Sequence, residues 1–442
     1  MKKLALVLTL AAFAALGTPG ARAEIGTVDE VPAATLLLPY FEVDYLDPTG
    51  PTTTLTINNA SATANLAHVT LWTDQGIPTL TFDVYLTGYD VQQLNLRTLF
   101  ETGNLPITAD LGSDPADTIS PKGTLSQDIN FPETSAPCNG VYSSPELTPT
   151  FLRHLRRSHT GRRSPVLGGC SGARYGDNVA RGYVTVDVVT GCTLENPSSA
   201  GYFAGTASSS NVLWGEYEVT DAQQNFEWGG SLVHIESCDG ALSVGNGAGL
   251  CPFTAGDYTF YGRMVAFAAT DQREPLATSF ASHFVGDQGT AATNDLLVWR
   301  DTKVAPVGAA GVHSCKTVPS WFPLAQTDVV AFDEQENPAD LCFLPDNVSP
   351  PIGGPQTCFP LATQRVSIQA GNPLGFPLDT PFTDGWLYLN LNHTVAGDPV
   401  PGVAQAWVEN AQSTQGRFAV GFHAFALDNA ATAIPGGTLL IP

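Results

Sequence analysis

Charge is scarce in this chain, and most of what it has is of one sign. Asp, Glu, Lys and Arg make up 14% of 442 residues, with 42 acidic against 19 basic and a net charge of −23. Such a surface repels nucleic acid and anionic lipid, so neither is an expected partner. Long apolar runs are lacking too. The most apolar stretch, residues 4–16, is thirteen residues long, too short for the roughly 30 Å of a bilayer core, so no membrane span is expected in the mature chain. The eight cysteines include no C-x-x-C pair, which removes the main signature of zinc ribbons and thioredoxin-like sites. No H-E-x-x-H, Walker loop or dinucleotide fingerprint occurs, and neither a metal site nor a cofactor is expected. Residues 24–137 hold no cysteine, so that part must cohere by packing.

What is present begins with an address. Lys2 and Lys3 precede the uncharged run 4–16, and Ala21-Arg22-Ala23 forms an A-x-A site. This is the pattern of a secretory signal peptide over 1–23, and its brevity predicts a bacterial source. Cleavage after Ala23 removes Lys2, Lys3 and Arg22, leaving 16 of the 19 basic residues against 42 acidic ones. No cysteine follows the cleavage site directly, as a lipid anchor would require, so a soluble protein, periplasmic or extracellular, is predicted. Export to an oxidising compartment makes disulfides the default state of Cys138, Cys170, Cys192, Cys238, Cys251, Cys315, Cys342 and Cys358. Cys238 and Cys251 bracket a Gly-rich loop and form the one pair the spacing singles out; the rest stay unassigned.

Gly (43) and Pro (33) are too frequent for a helical protein, while 43% hydrophobic residues is too apolar for disorder. Short runs of Thr, Val, Tyr, Phe and Trp between turn clusters predict an all-β fold. The cleanest strands are 52–58, 66–73, 79–87 and 90–97. In the third, Leu80, Phe82, Val84 and Leu86 alternate with Thr79, Thr81, Asp83 and Tyr85, the habit of an antiparallel sheet with one face in a core. Further strands are expected at 180–189, 212–220, 231–236, 258–268, 296–300, 386–391, 403–409 and 416–427. The expected architecture is two or three antiparallel β-sandwich domains, Ig-like or jelly-roll-like, with long loops. Residues 24–135 form an N-terminal sandwich, 136–305 a middle β-rich domain, and 306–442 a C-terminal sandwich segment.

One short basic helix interrupts this pattern. Thr148 is an N-cap, Pro149 suits the first helical position, and Gly161 can take a left-handed C-cap. Arg153, Arg156, Arg157, Arg162 and Arg163 concentrate five of the sixteen mature basic residues here. Two roles compete for them: pairing with the protein's own acidic surface to fasten an insertion, or an anion-binding patch for an envelope polysaccharide or another surface protein. His154 and His159 are five apart, which puts them off a common helix face as metal ligands.

No motif for catalysis holds up. Gly169-Cys170-Ser171-Gly172-Ala173 resembles a nucleophile elbow without its final glycine, and Cys170 is a disulfide candidate. Asp333-Glu334-Gln335-Glu336 with Asp340 lacks calcium-loop spacing. Trp214, Glu216 and Glu218 project from one strand face, an aromatic beside two acids spaced roughly 7 Å apart, which suits a sugar. Trp72, Tyr85, Trp386 and Tyr388 are either cross-strand packing or a binding platform. The leading expectation is therefore a non-catalytic exported protein with a binding, adhesive or structural role in the envelope or outside the cell. The alternative is a secreted glycan-binding or glycan-hydrolysing β-sandwich protein. Expressed with its leader in an exporting bacterial host, the protein should begin at Glu24 on N-terminal sequencing. Non-reducing mass spectrometry of that product should count no free thiol, and two or more would sink the disulfide framework.

Overall fold

The computed structural model describes residues 31–106, 147–199, 201–223, 226–237, 258–264, 271–285, 293–302, 312–316, 322, 324–341, 358–368, 378, 380–393, 402–414 and 418–428. The expected leader 1–23, the expected Cys238–Cys251 pair, Cys138 and Cys342 lie outside these residues. The fold is all-β and antiparallel, as the alternation requires, and the described residues form four sheets. The first contains, in spatial order, β4 (Pro78–Leu86), β3 (Asn65–Thr73), β6 (Val179–Val189), β1 (Thr35–Asp44) and β9 (Val233–Ile235). The second contains β5 (Val91–Asn95), β2 (Pro51–Asn59), β7 (Leu213–Asp221) and β8 (Phe226–Ser231). Leu80, Phe82, Val84 and Leu86 of β4 enter the core between them, with Leu55 and Ile57 of β2 and Tyr217 and Val219 of β7.

The third sheet contains β13 (Pro338–Asp340), β12 (Asp328–Phe332), β15 (Asp384–Asn390), β10 (Ser279–Val285) and β18 (Phe425–Ala426). The fourth contains β14 (Thr363–Ser367), β11 (Thr293–Arg300), β16 (Ala406–Thr414) and β17 (Phe418–His423). Phe280, Leu387 and Leu389 meet Leu296, Val298 and Val408 in the core between these two. Both sandwiches draw strands across the limits expected at 135 and 305. β6 to β9 complete the sheets begun by β1 to β5, and β10 and β11 belong with β12 to β18.

Three other expectations change. The strand expected at 90–97 stops at Asn95, where a helix Leu96–Thr102 begins; the Asn95 side chain caps its amides and Gly103, at φ +81°, ends it. Residues 258–264 form turns, not a strand, and pack Phe260 and Tyr261 into an aromatic cluster with Trp72, Tyr183 and Trp299. The stretch 306–360, in which no strand is expected, contains β12 and β13.

The fourth sheet is buried on both sides. Leu297 and Ala411 face the core of the first sandwich, and Trp299 and Trp407 join the aromatic cluster on the outer side of β3 and β6. Charge crosses this junction. The Arg365 guanidinium reaches Asp295 at 2.6 Å and Glu42 of β1 at 2.8 Å, over the rings of Phe226 and Trp228. Tyr217 of β7 donates to the Glu409 carboxylate of β16. β1 carries one extra residue between Leu38 and Phe41, and the Pro39 carbonyl accepts from Thr363 Oγ1 at 2.5 Å.

The β3–β4 turn is a second junction. The Asp74 carbonyl accepts from Ala362 N at 2.9 Å. Its carboxyl, fully enclosed, accepts from Ala173 N at 2.9 Å and from the Tyr175 hydroxyl at 3.1 Å. Burial pushes this carboxyl up to about 7, against the lowering effect of those hydrogen bonds. The native state therefore holds the proton to about pH 7, whereas an unfolded Asp releases it near ~3.9. Stability from this group is complete below that lower value and is lost as pH rises through 7. Asp74→Asn removes the dependence. Its thermal-stability advantage over wild type should widen between pH 4 and 7 and level off above; an advantage independent of pH would refute this account of Asp74.

Candidate functional site

The solvent face of the β5–β2–β7–β8 sheet carries the sequence-derived ligand candidates. Along β7, Leu213, Gly215, Tyr217 and Val219 are buried while Glu216 and Glu218 are exposed and Trp214 is half-buried. The strand is held from below by Tyr217, and by Gly215, where a Cβ would sit 2.5 Å from the Thr56 carbonyl oxygen. Register then sets the rows. Gln93, Thr56 and Glu216 lie side by side; Thr54, Glu218 and Gly229 follow; Thr220 and Glu227 come next.

These rows line an open groove of about 550 Å³. Thr54, Thr56 and Gln93 form one wall, and Glu216, Glu218 and Glu227 supply the charge. Gly229 and Gly230 open the side toward β8, since neither has a side chain to fill it. A Cβ at Gly229 would stand 2.3 Å from the Tyr217 carbonyl oxygen, so this gap is built into the pairing. Trp214 does not line the groove; its ring lies 5.9 Å from that of His234. Glu227, which sequence reasoning missed, does. Its only signal was alternation in the run Phe226-Glu227-Trp228, too short to fix a register alone.

No Lys or Arg lines the groove. The Glu218 carboxyl is raised above the usual carboxylate range by partial burial, by the charge of Glu227 with which it shares a hydrogen bond, and by Glu216. The groove thus offers carboxylate, hydroxyl and amide acceptors to hydroxyl groups or cations, and repels anions. Comparison with family models, curated proteins and solved structures finds no match. The geometry carries the functional reading alone.

The five arginines do not form one patch. The helix spans Pro149–Ser158 with Thr148 as N-cap; His159, not Gly161, is the C-cap, and Gly161 follows at φ +62°. Arg156 lies over the Tyr45 ring at 5.1 Å and donates to the Phe100 and Glu101 carbonyls, both at 2.6 Å. It thereby caps the end of the Leu96–Thr102 helix, where carbonyls have no intrahelical donor. Arg162 donates to Asn178 Oδ1 at 3.0 Å and Arg163 to the Gly168 carbonyl at 2.9 Å. Arg153 and Arg157 are exposed. The fastening uses carbonyls and an amide rather than the acidic surface side chains expected.

The helix histidines are packing elements. His159 bonds Thr79 Oγ1 at 2.8 Å and the Arg181 carbonyl at 2.9 Å, and burial pushes it down to about 3, so it is neutral. His154 bonds Ser164 Oγ at 2.7 Å and the Thr79 carbonyl at 3.0 Å. Cys170 is bonded to Cys315, and Ser171 beside it is fully buried, which removes the nucleophile-elbow reading. Cys192 and Cys358 are also disulfide-bonded, and no free cysteine occurs among the described residues. The Asp333 carboxylate is occupied by Gln335 N, Asn337 N and Asn337 Nδ2, closing the β12–β13 hairpin. Among the described residues no cluster of His, Cys, Asp or Glu has the form of a metal site.

Arg156→Ala leaves two helix-end carbonyls without their charged donor and should lower stability by about 1–3 kcal/mol. Arg153→Ala and Arg157→Ala, at exposed positions, should stay within about 0.5 kcal/mol. Urea unfolding of the three variants checks this; equal losses at all three would contradict the capping role.

Proposed function

We propose that the chain is exported and serves as a binding protein of the cell envelope or extracellular space, with the wet face of β5–β2–β7–β8 as its ligand surface. The groove of about 550 Å³ on that face carries the reading, because its size falls within the ~300–1,000 Å³ of small-ligand sites. Its lining is rich in acceptors and free of cations, which suits a neutral, hydroxyl-bearing ligand. A neutral glycan of one to a few sugar units has that chemistry, whereas an acidic polysaccharide meets three glutamates. The paired disulfide cysteines support an oxidising compartment, and no helix among the described residues is long and apolar enough to cross a membrane.

One observation favours hydrolysis as a second reading. Glu218 is raised by its surroundings while Glu216 stands two positions away on the same face, at a spacing of roughly 7 Å. Two carboxyl groups at that separation are the pairing an inverting glycosidase uses. A glycan array probed with labelled mature protein tests both readings. Neutral glycans should bind, and Glu216→Gln with Glu218→Gln should cut affinity at least tenfold without lowering Tm. No ligand across neutral plant, bacterial and host glycans would end the binding proposal. Release of reducing sugar from a bound glycan, abolished by Glu218→Gln, would transfer the assignment to hydrolysis.

A further inference from the structure

The solvent face of the β13–β12–β15–β10–β18 sheet is not a polar face. Register places Phe332, Trp386 and His283 in one row, and Val330, Tyr388 and Ala281 in the next, with Phe425 following Ala281. Phe425 is 77% exposed and Trp386 36%, in contrast to Trp72 and Tyr85 of the first sandwich, which are buried. Leu427 and Val285 extend the apolar surface at its β10–β18 side. Phe332 lies flat against Trp386, ring centroids 4.2 Å apart and planes 9° apart. The acids Asp328 and Asp340 are exposed at the β12–β13 side, and no strand of this sheet contains a Lys or Arg.

We propose that this face docks a polypeptide segment that presents Lys or Arg beside apolar side chains. An exposed aromatic and aliphatic surface on a sheet is stabilised by covering it, which requires apolar side chains in the partner. The acids at its margin, on a chain of net charge −23, select a partner of the opposite sign. Size narrows the occupant further. Four strand spacings of about 4.8 Å, with three outward positions on β12 and four on β15 and β10, give a face of at most about 19 by 20 Å. That is well below the ~800 Å² per partner of a stable protein–protein interface. A second copy of this chain is disfavoured on both counts, because it would set acid against acid over too small an area. A single strand or helix of a basic partner matches the dimensions. Stacking of a sugar ring is disfavoured because Phe332 already covers one face of the Trp386 indole.

The test uses the full mature protein and two fluorescein-labelled twelve-residue peptides, one alternating Arg and Leu, the other alternating Glu and Leu. Fluorescence anisotropy should show binding of the Arg peptide only, weakened by 0.5 M salt. Trp386→Ser with Phe425→Ser should weaken it at least tenfold while leaving net charge unchanged. Phe425→Ser alone, at the most exposed position, should weaken it severalfold and serves if the double variant fails to fold. The proposal is overturned by absence of binding, by equal binding of the Glu peptide, or by equal affinity in the variants, which would assign the interaction to overall charge. Sedimentation velocity showing micromolar dimers lost in Phe425→Ser would give the face to a second copy. Retention on neutral-glycan gels lost in the same variant would give it to a sugar. Each of these last two results also overturns it. None of the arms involves the β5–β2–β7–β8 groove, so the two proposals fail separately.

Discussion

Arg365 is the interaction on which the arrangement of the two sandwiches depends. It lies between Asp295 of its own sheet and Glu42 of the neighbouring sandwich, above two aromatic rings. Guanidinium can satisfy both acids at once because its planar fork presents several donors in fixed directions, which a lysine cannot do. Loss of either acid would leave part of the guanidinium charge unpaired at a junction where the Arg365 side chain is 23% exposed, a cost below the ~3–5 kcal/mol of a fully buried pair. The same junction holds Tyr217 against Glu409, and Tyr217 is the inward neighbour of both groove glutamates on β7. Geometry on the wet face is thus set from the far side of the strand.

The buried arginines hold the interior together through acids and carbonyls buried with them. Arg263, Arg273 and Arg300 are each under 4% exposed. Arg273 pairs with Asp271 and Asp187, and Asp187 in turn accepts from Tyr202 and Tyr261. Arg300 donates to the carbonyls of Leu324, Ala325, Phe359 and Leu391, tying four loop positions together. Burial, with the like charge of Arg263 nearby, pushes it down to about 9. Nine acidic side chains are buried among the described residues against these three arginines, so burial lowers the acid excess at the surface without removing it.

Period-two alternation made β2, β4 and β7 legible in the sequence, because each has one face in a core and one that is less covered, whereas β3 and β6, buried on both faces, were legible as short apolar runs between turn clusters. The Leu96–Thr102 helix had its signal in Asn95 and Gly103, but the alternation of the preceding residues overran it. β12 and β13 were hidden by shortness and by flanking prolines, and 258–264 read as a strand because apolar residues there fill an aromatic cluster rather than pair. The assignment of β6 to β9 to the first sandwich rests on pairing over more than a hundred residues, as between β1 and β6, which no local pattern encodes. At the site, Glu216 and Glu218 were legible from their own strand. Glu227 and the glycine gap required the β7–β8 register, and so did the exclusion of Trp214 from the groove.

Two sheet faces remain open to solvent among those described, and their chemistry differs for a reason. The inner layers bury the outer side of β3 and β6 and both sides of β11 and β16. Among the described residues, the outer faces of the β5–β2–β7–β8 and β13–β12–β15–β10–β18 sheets are the ones left to present a surface. The first displays Thr, Gln and Glu over a glycine gap, a wet face of the kind an antiparallel sheet shows water. The second displays Trp, Tyr and Phe where the same rule calls for polar residues. A chain that otherwise buries its large aromatics so thoroughly, down to Trp72 at 0% exposure, does not leave Phe425 in water for want of a core. The core between the third and fourth sheets is already filled by Phe280, Phe284 and Leu389 on the inward side of the same strands. The outward aromatics contribute little to that core, so packing of the fold does not account for their presence on this face.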